Sequence, residues 1–318
     1  MKQFLYIVIV FLCGCTPSLQ HIPATITQCC DIPVGRASAI AWCFDSKGYL
    51  FGGRDSINVL HNDLWEYDPV RDSWKQIGNS TPLTPRVNGL ACVVGEHVYV
   101  GLGFQQSIHR DSSYLRDWWE YNPIKNEWKQ LADFPNKNTV KPIAYVQGNR
   151  IYCVHGFGVG FTAEIIAYDI VTNQWEIITQ HSHNDIMCMA GAGATLDGRF
   201  YYGTGFNTMN LNTWFEIGFE GEWEKRANVP GKRQLATCVT TAKNIYLVGG
   251  RKFGGTQTDG KIYDDILRYN TQDDVWTYAG STKYPTENSF GFSINHSAYI
   301  GGGENGDGIL TTLYRIED

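Results

Sequence analysis

Six short apolar segments that end in glycine are each followed by a residue that could bind or transform a ligand. The six residues are Arg54, Phe104, Phe157, Phe206, Arg251 and Glu304. Arginine binds carboxylates through two parallel hydrogen bonds, and its cation also stacks on aromatic rings. A carboxylate such as Glu304 can take up or release a proton during a reaction. The set therefore suits a ligand with a carboxylate, such as an acidic sugar or an acidic peptide.

A second set of charged residues stands where six apolar runs begin, each of them upstream of one glycine-ended segment. These residues are Arg36, Arg86, Lys141, Asp185, Arg233 and Glu287. We predict that Arg36, Arg86 and Arg233 bind the ligand together with Arg54, Arg251 and the three phenylalanines, and that Glu304 is the catalytic carboxylate of any reaction. The alternative is that these loops are solvated and the arginines brace neighbouring structural units.

Two other polar segments are weaker candidates. The stretch "HSHND" (181–185) would point two histidines and an aspartate to one side of an extended chain, which is an arrangement that can bind a metal. The stretch "ENGDG" (304–308) has the composition of a calcium loop, but a glycine-rich turn explains it more simply. No GxSxG motif, phosphate-binding loop or zinc-type cysteine spacing is present. We therefore expect no metal and no cofactor.

A repeated aromatic pattern indicates which elements position these residues. Five tryptophans are separated by 54, 47, 48 and 53 residues: Trp74, Trp128, Trp175, Trp223 and Trp276. Seven residues before four of them stands a tyrosine followed by Asp or Asn: Tyr67, Tyr121, Tyr168 and Tyr269. The copy around Trp223 has a shorter turn and lacks this tyrosine. Self-similarity at a period of about 50 residues predicts a repeat architecture.

Each repeat reads as four short strands, of which the second ends in glycine, the third ends at Tyr-Asp and the fourth begins at Trp. A small sheet with two apolar faces cannot stand alone, so the units must stack radially around a central axis. In an up-and-down unit the start of the first strand and the end of the second lie on the same face. Both sets of charged residues are therefore predicted to surround one mouth of a central channel.

The sixth unit, residues 287–318, stops without a fourth strand. The N-terminal stretch "ATITQCCDIPVGR" matches the end of a unit, since Pro33 follows Ile26 by seven residues, as Pro230 follows Trp223. Residues 24–32 should therefore form the outermost strand of the last unit and pair near 310–317. The prediction is an all-β, six-bladed propeller with four antiparallel strands per blade, closed by the N-terminal strand.

The order Gly-Gly, Tyr-Asp, Trp resembles the Kelch repeat across residues 24–318. The resemblance implies a Kelch-type propeller that acts as a binding or scaffold module. Its partner would be a carbohydrate, a peptide or a protein held at the channel mouth.

A more distant resemblance, to the exported N-acetylneuraminate mutarotases (epimerases), implies the alternative function. These propellers interconvert the anomers of sialic acid, and a related acidic sugar would also fit. In that family a Glu just past the glycine doublet works with an Arg about six residues on. Glu304 follows "GGG" here, but Leu310 stands six residues later, so Arg54 or Arg251 would supply the cation from another blade. Whether the chain is an enzyme stays open.

The first fifteen residues resemble the signal of a bacterial lipoprotein. Lys2 precedes nine apolar residues, and "LCGC" ends in Cys15, where a lipobox carries its lipidated cysteine. We predict a signal peptide at 1–14, a lipid-anchored linker at 15–23 and the propeller at 24–318. The chain would then be exported and anchored to a bacterial membrane on the periplasmic or cell-surface side. An ordinary cleaved signal or a buried strand are the alternatives.

Composition limits the partners and the chemistry of the cysteines. The net charge is −6 and no Lys/Arg cluster occurs, so nucleic acid is not an expected partner. Seven cysteines would remain after removal of Cys13 and lipidation of Cys15. Five of them lie in apolar, strand-like runs and are predicted to be buried free thiols: Cys43, Cys92, Cys153, Cys188 and Cys238. Cys29 and Cys30 are adjacent, and a bridge between them would be strained.

Overall fold

The computed structural model describes residues 19–78, 81–105, 113–135, 141–154, 164–180, 189–218, 222–254 and 260–318. Over these residues the chain forms six four-stranded antiparallel sheets and two small hairpins. None of the described segments forms a helix long and apolar enough to cross a membrane. The predicted all-β class is confirmed.

Each sheet is one blade, and the strands are numbered in chain order. Blade 1 contains β2 (Ile40–Phe44), β3 (Lys47–Phe51), β4 (Leu64–Asp68) and β5 (Ser73–Gly78). Blade 2 contains β6 (Leu90–Val94), β7 (His97–Gly101), β8 (Trp118–Asn122) and β9 (Glu127–Gln130). Blade 3 contains β10 (Ile143–Gln147), β11 (Arg150–Val154), β12 (Glu164–Asp169) and β13 (Gln174–Gln180).

The second half of the chain repeats this arrangement. Blade 4 contains β14 (Ala192–Leu196), β15 (Arg199–Gly203), β16 (Trp214–Ile217) and β17 (Trp223–Arg226). Blade 5 contains β18 (Thr237–Thr240), β19 (Asn244–Val248), β22 (Asp265–Asn270) and β23 (Val275–Ser281). Blade 6 contains β24 (Phe290–Ile294), β25 (Ser297–Gly301), β28 (Leu313–Glu317) and β1 (Thr25–Cys29). The small hairpins are β20 (Arg251–Phe253) with β21 (Gly260–Ile262), and β26 (Glu304–Asn305) with β27 (Gly308–Ile309).

The blades close into a ring. The innermost strand of every blade contacts the innermost strand of the next, and that of blade 6 contacts that of blade 1. β1 completes blade 6 by pairing antiparallel with β28, in a register from Thr25 opposite Glu317 to Cys29 opposite Leu313. The six-bladed propeller and its closure by the N-terminal strand are therefore confirmed.

The repeated Tyr and Trp are cross-strand neighbours in the outer half of four blades. The directly opposed pairs are Tyr67 with Trp74, Tyr121 with Trp128, Tyr168 with Trp175, and Tyr269 with Trp276. Their ring centroids lie 5.1, 4.3, 4.9 and 4.8 Å apart. All four tyrosines are at most 1% exposed, so the repeat encodes the packing between blades. Blade 4 departs as its sequence indicates, with Trp223 opposite Ile217.

Hydrogen bonds around the same tyrosines also link adjacent blades. The Tyr168 hydroxyl donates to Asn173 Oδ1 at 2.8 Å, and the backbone N–H of Ala132 in blade 2 donates to the same oxygen at 2.9 Å. The Trp175 indole N–H then donates to the Ala132 carbonyl at 2.9 Å. In the other three blades the hydroxyl of the equivalent tyrosine donates a hydrogen bond to Asp72, Asn126 or Asp274. Sequence analysis did not identify this Asp or Asn, although it stands two residues before each Trp.

Glycines at the ends of the second strands dock one blade against the next. Gly53 has a φ of +85°, and its N–H donates to the Arg86 carbonyl of blade 2 at 2.8 Å. A Cβ at Gly53 would stand 2.8 Å from the Ala39 Cβ. Glycine is required here because other residues disfavour this φ and no space exists for a side chain. The N–H groups of Gly205, Gly250 and Gly303 donate equivalent hydrogen bonds to backbone carbonyls of the next blade.

The four described cysteines of the apolar runs are free thiols, as predicted, but two of them are only half-buried. Cys92 and Cys153 are buried, Cys43 and Cys238 are half-buried, and all four are free thiols, as are Cys29 and Cys30. Burial raises the pKa of Cys92 to about 12 and that of Cys43 to about 11, so neither thiol ionises at neutral pH. Cys188 lies outside the described residues.

Candidate functional site

A cavity of about 160 Å³ lies at the central axis, where the innermost strands begin. Each blade contributes one residue with a φ between 52° and 62° to this point: Ser38, Asn88, Lys141, Ala190, Leu235 and Asn288. We call these six residues the mouth ring. The register of the innermost strands therefore determines which side chains meet at the cavity.

Backbone hydrogen bonds link the mouth ring from blade to blade. In each of them the N–H of one ring residue donates to the carbonyl of the ring residue before it. The bonds run from Ser38 to Asn288 (2.8 Å), Asn88 to Ser38 (2.9 Å), Lys141 to Asn88 (3.0 Å), Leu235 to Ala190 (2.8 Å) and Asn288 to Leu235 (3.1 Å). Because the backbone is held in this way, the side chains of the ring sit on a rigid frame.

A chain of polar contacts crosses the mouth from blade 1 through blade 6 to blade 3. Arg54 of blade 1 forms an ion pair with Glu304 of blade 6. The Asn288 amide donates to Glu304 Oε1 at 2.8 Å, and its own oxygen accepts a hydrogen bond from Lys141 Nζ. Glu304 is thus held between a cation and an amide donor.

A second ion pair joins blades 5 and 6. Arg251 Nη2 lies 2.7 Å from Glu287 Oε1, and Glu287 is 5% exposed. Burial raises the pKa of Glu287, and the adjacent Glu304 adds to that rise, while Arg251 and Lys141 oppose it. Backbone hydrogen bonds of 3.0 and 2.9 Å join Glu287 to Glu304, so both carboxylates belong to one site.

Aromatic side chains occupy the equivalent positions of blades 2 and 4. Phe104 makes an edge-on contact with Tyr114 at 5.6 Å, and Phe206 makes one with Phe253 at 6.2 Å. All four rings are half-buried. Phe157 of blade 3 lies outside the described residues. The structure thus brings Arg54, Phe104, Phe206, Arg251 and Glu304 to the same face of the propeller, in the order in which their blades occur.

The other three predicted arginines are placed differently. Arg36, Arg86 and Arg233 are 2%, 0% and 0% exposed, and each forms an ion pair inside its own blade. Their partners stand at the start of the third strands. Asp63 and Asp117 directly precede β4 and β8 and lie 2.6 and 2.7 Å from their arginines, and Asp265 is the first residue of β22 and lies 2.5 Å from Arg233. These ion pairs join the segments that lead into the first and third strands of one blade, whereas the alternative had the arginines brace neighbouring units. Their predicted contact with a ligand stays a prediction.

Two residues at the centre of the site, Lys141 and Asn288, are not among the ligand-binding residues predicted from the sequence. Lys141 is predicted only as the start of a strand. Asn is among the residues that best tolerate a positive φ, and Asn88 and Asn288 each precede a small residue at a strand start. An asparagine followed by a small residue at a strand start therefore indicates a mouth-ring position in the sequence.

Metal-binding candidates receive no support from the described parts of the chain. Among the described residues no three His, Cys, Asp or Glu side chains form a cluster suited to a metal ion. The "HSHND" stretch lies outside them. In "ENGDG" the Asn305 side chain accepts hydrogen bonds from the N–H groups of Asp307 (2.8 Å) and Gly308 (3.1 Å), so this oxygen stabilises the turn itself.

Comparisons with known proteins point to one domain family. A family model described as "KLHDC2/KLHL20/DRC7 Kelch-repeats domain" matches residues 16–146. Kelch-like protein 25 of Xenopus tropicalis is 24% identical over 286 residues, which is 86% of this chain and 46% of that protein. Kelch domain-containing protein 3 of Bos taurus is 30% identical over 121 residues, 37% of this chain and 30% of that protein.

A solved structure described as "Structure of YjhT" has a TM-score of 0.74 and 16% sequence identity, and the match covers 91% of this chain and 99% of that one. At this identity the match shows the fold alone. The chain spans less than half the length of the curated relatives it matches. The chain is therefore similar to Kelch-repeat domains, through the family model over residues 16–146 and through Kelch-like relatives over most of its length.

Proposed function

We propose that this chain is a binding module whose channel mouth holds an acidic partner, either a peptide, a protein or a glycan. The observation that carries the proposal is the combination of half-exposed Arg54 and Arg251 with Phe104 and Phe206 on one rigid face. Arginine and aromatic residues are enriched in protein interfaces and at their energetic centres. Kelch propellers in general mediate protein–protein interaction.

An acidic partner would bind by replacing an internal carboxylate. Arg54 is 29% exposed and Glu304 is 20% exposed, so the ion pair is open to solvent. A partner carboxylate that approaches from the channel face would take the position of Glu304 on the guanidinium. Little conformational entropy is lost in the exchange, because Arg54 is already held by Glu304 and by Asn58 at 3.0 Å.

Arg54→Ala is expected to weaken binding of an acidic peptide by at least about tenfold, as for removal of an interface hot spot. The peptide would be selected by phage display on the wild-type protein, and its dissociation constant would be measured by titration calorimetry. Arg71→Ala is the matched control, because Arg71 is 80% exposed on the turn between β4 and β5, at the opposite face. Equal affinity of wild type and Arg54→Ala would exclude the channel face as the docking surface.

Sugar mutarotation is the second candidate, and the position of Glu304 favours it. The carboxylate lies beside Arg54, a cation from a different blade. Glu304 would transfer a proton at the anomeric centre while Arg54 holds the sugar carboxylate. NMR exchange spectroscopy of sialic acid tests this reaction, and Glu304→Gln should reduce any enzymatic exchange rate by about 10²-fold or more. If wild-type protein leaves the exchange rate at its uncatalysed value, the enzyme hypothesis is wrong for this sugar.

We also propose that the chain is exported and anchored by lipid at Cys15. The support is the sequence alone, namely the apolar stretch before "LCGC". Mass spectrometry of the protein purified from bacterial membranes tests it. A mature N-terminus at Cys15 with attached acyl chains is the expected result, and an unprocessed or unlipidated N-terminus would contradict it.

A further inference from the structure

Lys141 has a position that the binding role does not explain. It belongs to the mouth ring and lines the cavity, and its Nζ donates to Asn288 Oδ1 of blade 6. Blades 3 and 6 stand opposite each other in a ring of six, so this side chain spans the channel. Among the described residues Asn288 is the one hydrogen-bond acceptor recorded for an ammonium group that has three donors.

The groups that face Lys141 act on its charge in opposite directions. Burial and, to a lesser extent, Arg54 lower the pKa of Lys141, Glu287 and Glu304 oppose the change, and the net result is a pKa of about 8. An exposed lysine has a pKa of about 10.4. A sizeable fraction of Lys141 is therefore a neutral amine near pH 8, and a neutral amine is the form that attacks carbonyl carbons.

We propose that Lys141 is a covalent binding site for a small hydroxy-aldehyde or hydroxy-ketone, which it holds as an imine at the channel mouth. The amine nitrogen attacks the carbonyl carbon, and one proton moves from nitrogen to the carbonyl oxygen to give a carbinolamine. The hydroxyl then leaves as water with a second proton from nitrogen, and a C=N bond forms. Addition of water reverses these steps and releases the carbonyl compound.

Three features of the cavity select this class of compound. Ser38, Asn88 and Asn288 line it with groups that hydrogen-bond hydroxyls. Its volume of about 160 Å³ resembles that of cavities that hold a six-carbon ring, and it accommodates about six non-hydrogen atoms. When the imine nitrogen takes up a proton from solvent, the site again holds a positive charge that Glu287 and Glu304 stabilise. A carbamate formed from carbon dioxide would instead place a third negative charge beside them.

Reductive trapping tests the proposal in the intact protein. Glyceraldehyde and sodium cyanoborohydride would be added at pH 7.5, and adducts on each lysine would be quantified by peptide mass spectrometry. Lys75 and Lys243 are exposed and act as internal references. The lower pKa alone gives Lys141 about 10²-fold more neutral amine, and its lower intrinsic nucleophilicity offsets part of this gain. We expect Lys141 to react at least about tenfold faster than the references.

The pH dependence and one variant complete the test. The trapping rate at Lys141 should level off above about pH 8, whereas the rates at Lys75 and Lys243 should still rise toward pH 10. Lys141→Arg keeps the positive charge but forms no imine, so it should abolish this adduct. A Lys141 that reacts no faster than the two references, or whose rate rises in parallel with theirs, would overturn the proposal.

Discussion

Asp117→Ala is expected to lower the free energy of unfolding by about 3–5 kcal/mol, the usual cost of removing one partner from a buried ion pair. The carboxylate oxygens of Asp117 accept two hydrogen bonds of 2.7 Å from Arg86, which is 0% exposed. The substitution leaves a full charge inside blade 2 without its counter-ion. Urea denaturation followed by tryptophan fluorescence measures the loss.

A matched double variant separates lost attraction from the cost of an isolated charge. Blade 6 has Thr286 and Thr312 at the positions that Arg86 and Asp117 occupy in blade 2, as equivalent backbone hydrogen bonds from Gly250 and Gly302 show. The variant Arg86→Thr with Asp117→Thr should therefore be more stable than Asp117→Ala, because neither charge is left alone. If the double variant is the less stable of the two, packing of the Arg86 side chain rather than its charge stabilises the blade.

The architecture was predictable from the sequence because the glycine-ended strand pattern recurs in six units. The Tyr-to-Trp spacing predicted blade packing, since the two rings are cross-strand neighbours and the tyrosine of each pair is buried between two sheets. The closure of blade 6 was also predictable, because one unit lacked a fourth strand and the N-terminal stretch supplied a match to it. Repetition turned a weak local pattern into a strong structural constraint.

The sequence also contains a pattern that indicates the ion pairs of the buried arginines. Arg36, Arg86 and Arg233 look like exposed loop residues, since their partners follow 27, 31 and 32 residues later. However, an aspartate stands at the start of the third strand in each of the three blades, either directly before the strand or as its first residue. The recurrence of one arginine and one aspartate at the same two positions of three repeats indicates that they form ion pairs.

The candidate site was only partly predictable. Arg54 and Glu304 are 250 residues apart, and they meet because the first and last blades adjoin in a closed ring. Sequence analysis identified both residues, but their pairing depends on the angle and register of two blades. The contact between Lys141 and Asn288 depends on the diameter of the channel, which no local spacing encodes.

Deletion of residues 19–31 is expected to remove most of the stability of the propeller. β1 pairs with β28 through five residues, and each backbone hydrogen bond contributes about 1 kcal/mol, so the ladder accounts for about 5 kcal/mol. The deletion also exposes the edge of β28 to association with other chains. Calorimetry should show a large fall in Tm together with aggregation at low temperature.

A circular permutant tests whether the hydrogen bonds between β1 and β28 account for the stability that the deletion removes. Thr25 lies opposite Glu317, so a short turn after Asp318 can lead into residues 24–31 and form a hairpin of β28 and β1. We expect this chain, which begins at residue 32, to regain nearly the full Tm, since it restores the same pairs through a local connection. An unchanged Tm after the deletion would show that the ring closes without β1. A permutant as unstable as the deletion would instead assign the stability to residues 19–23, where Ile22 donates a 3.0 Å hydrogen bond to Tyr278 in blade 5.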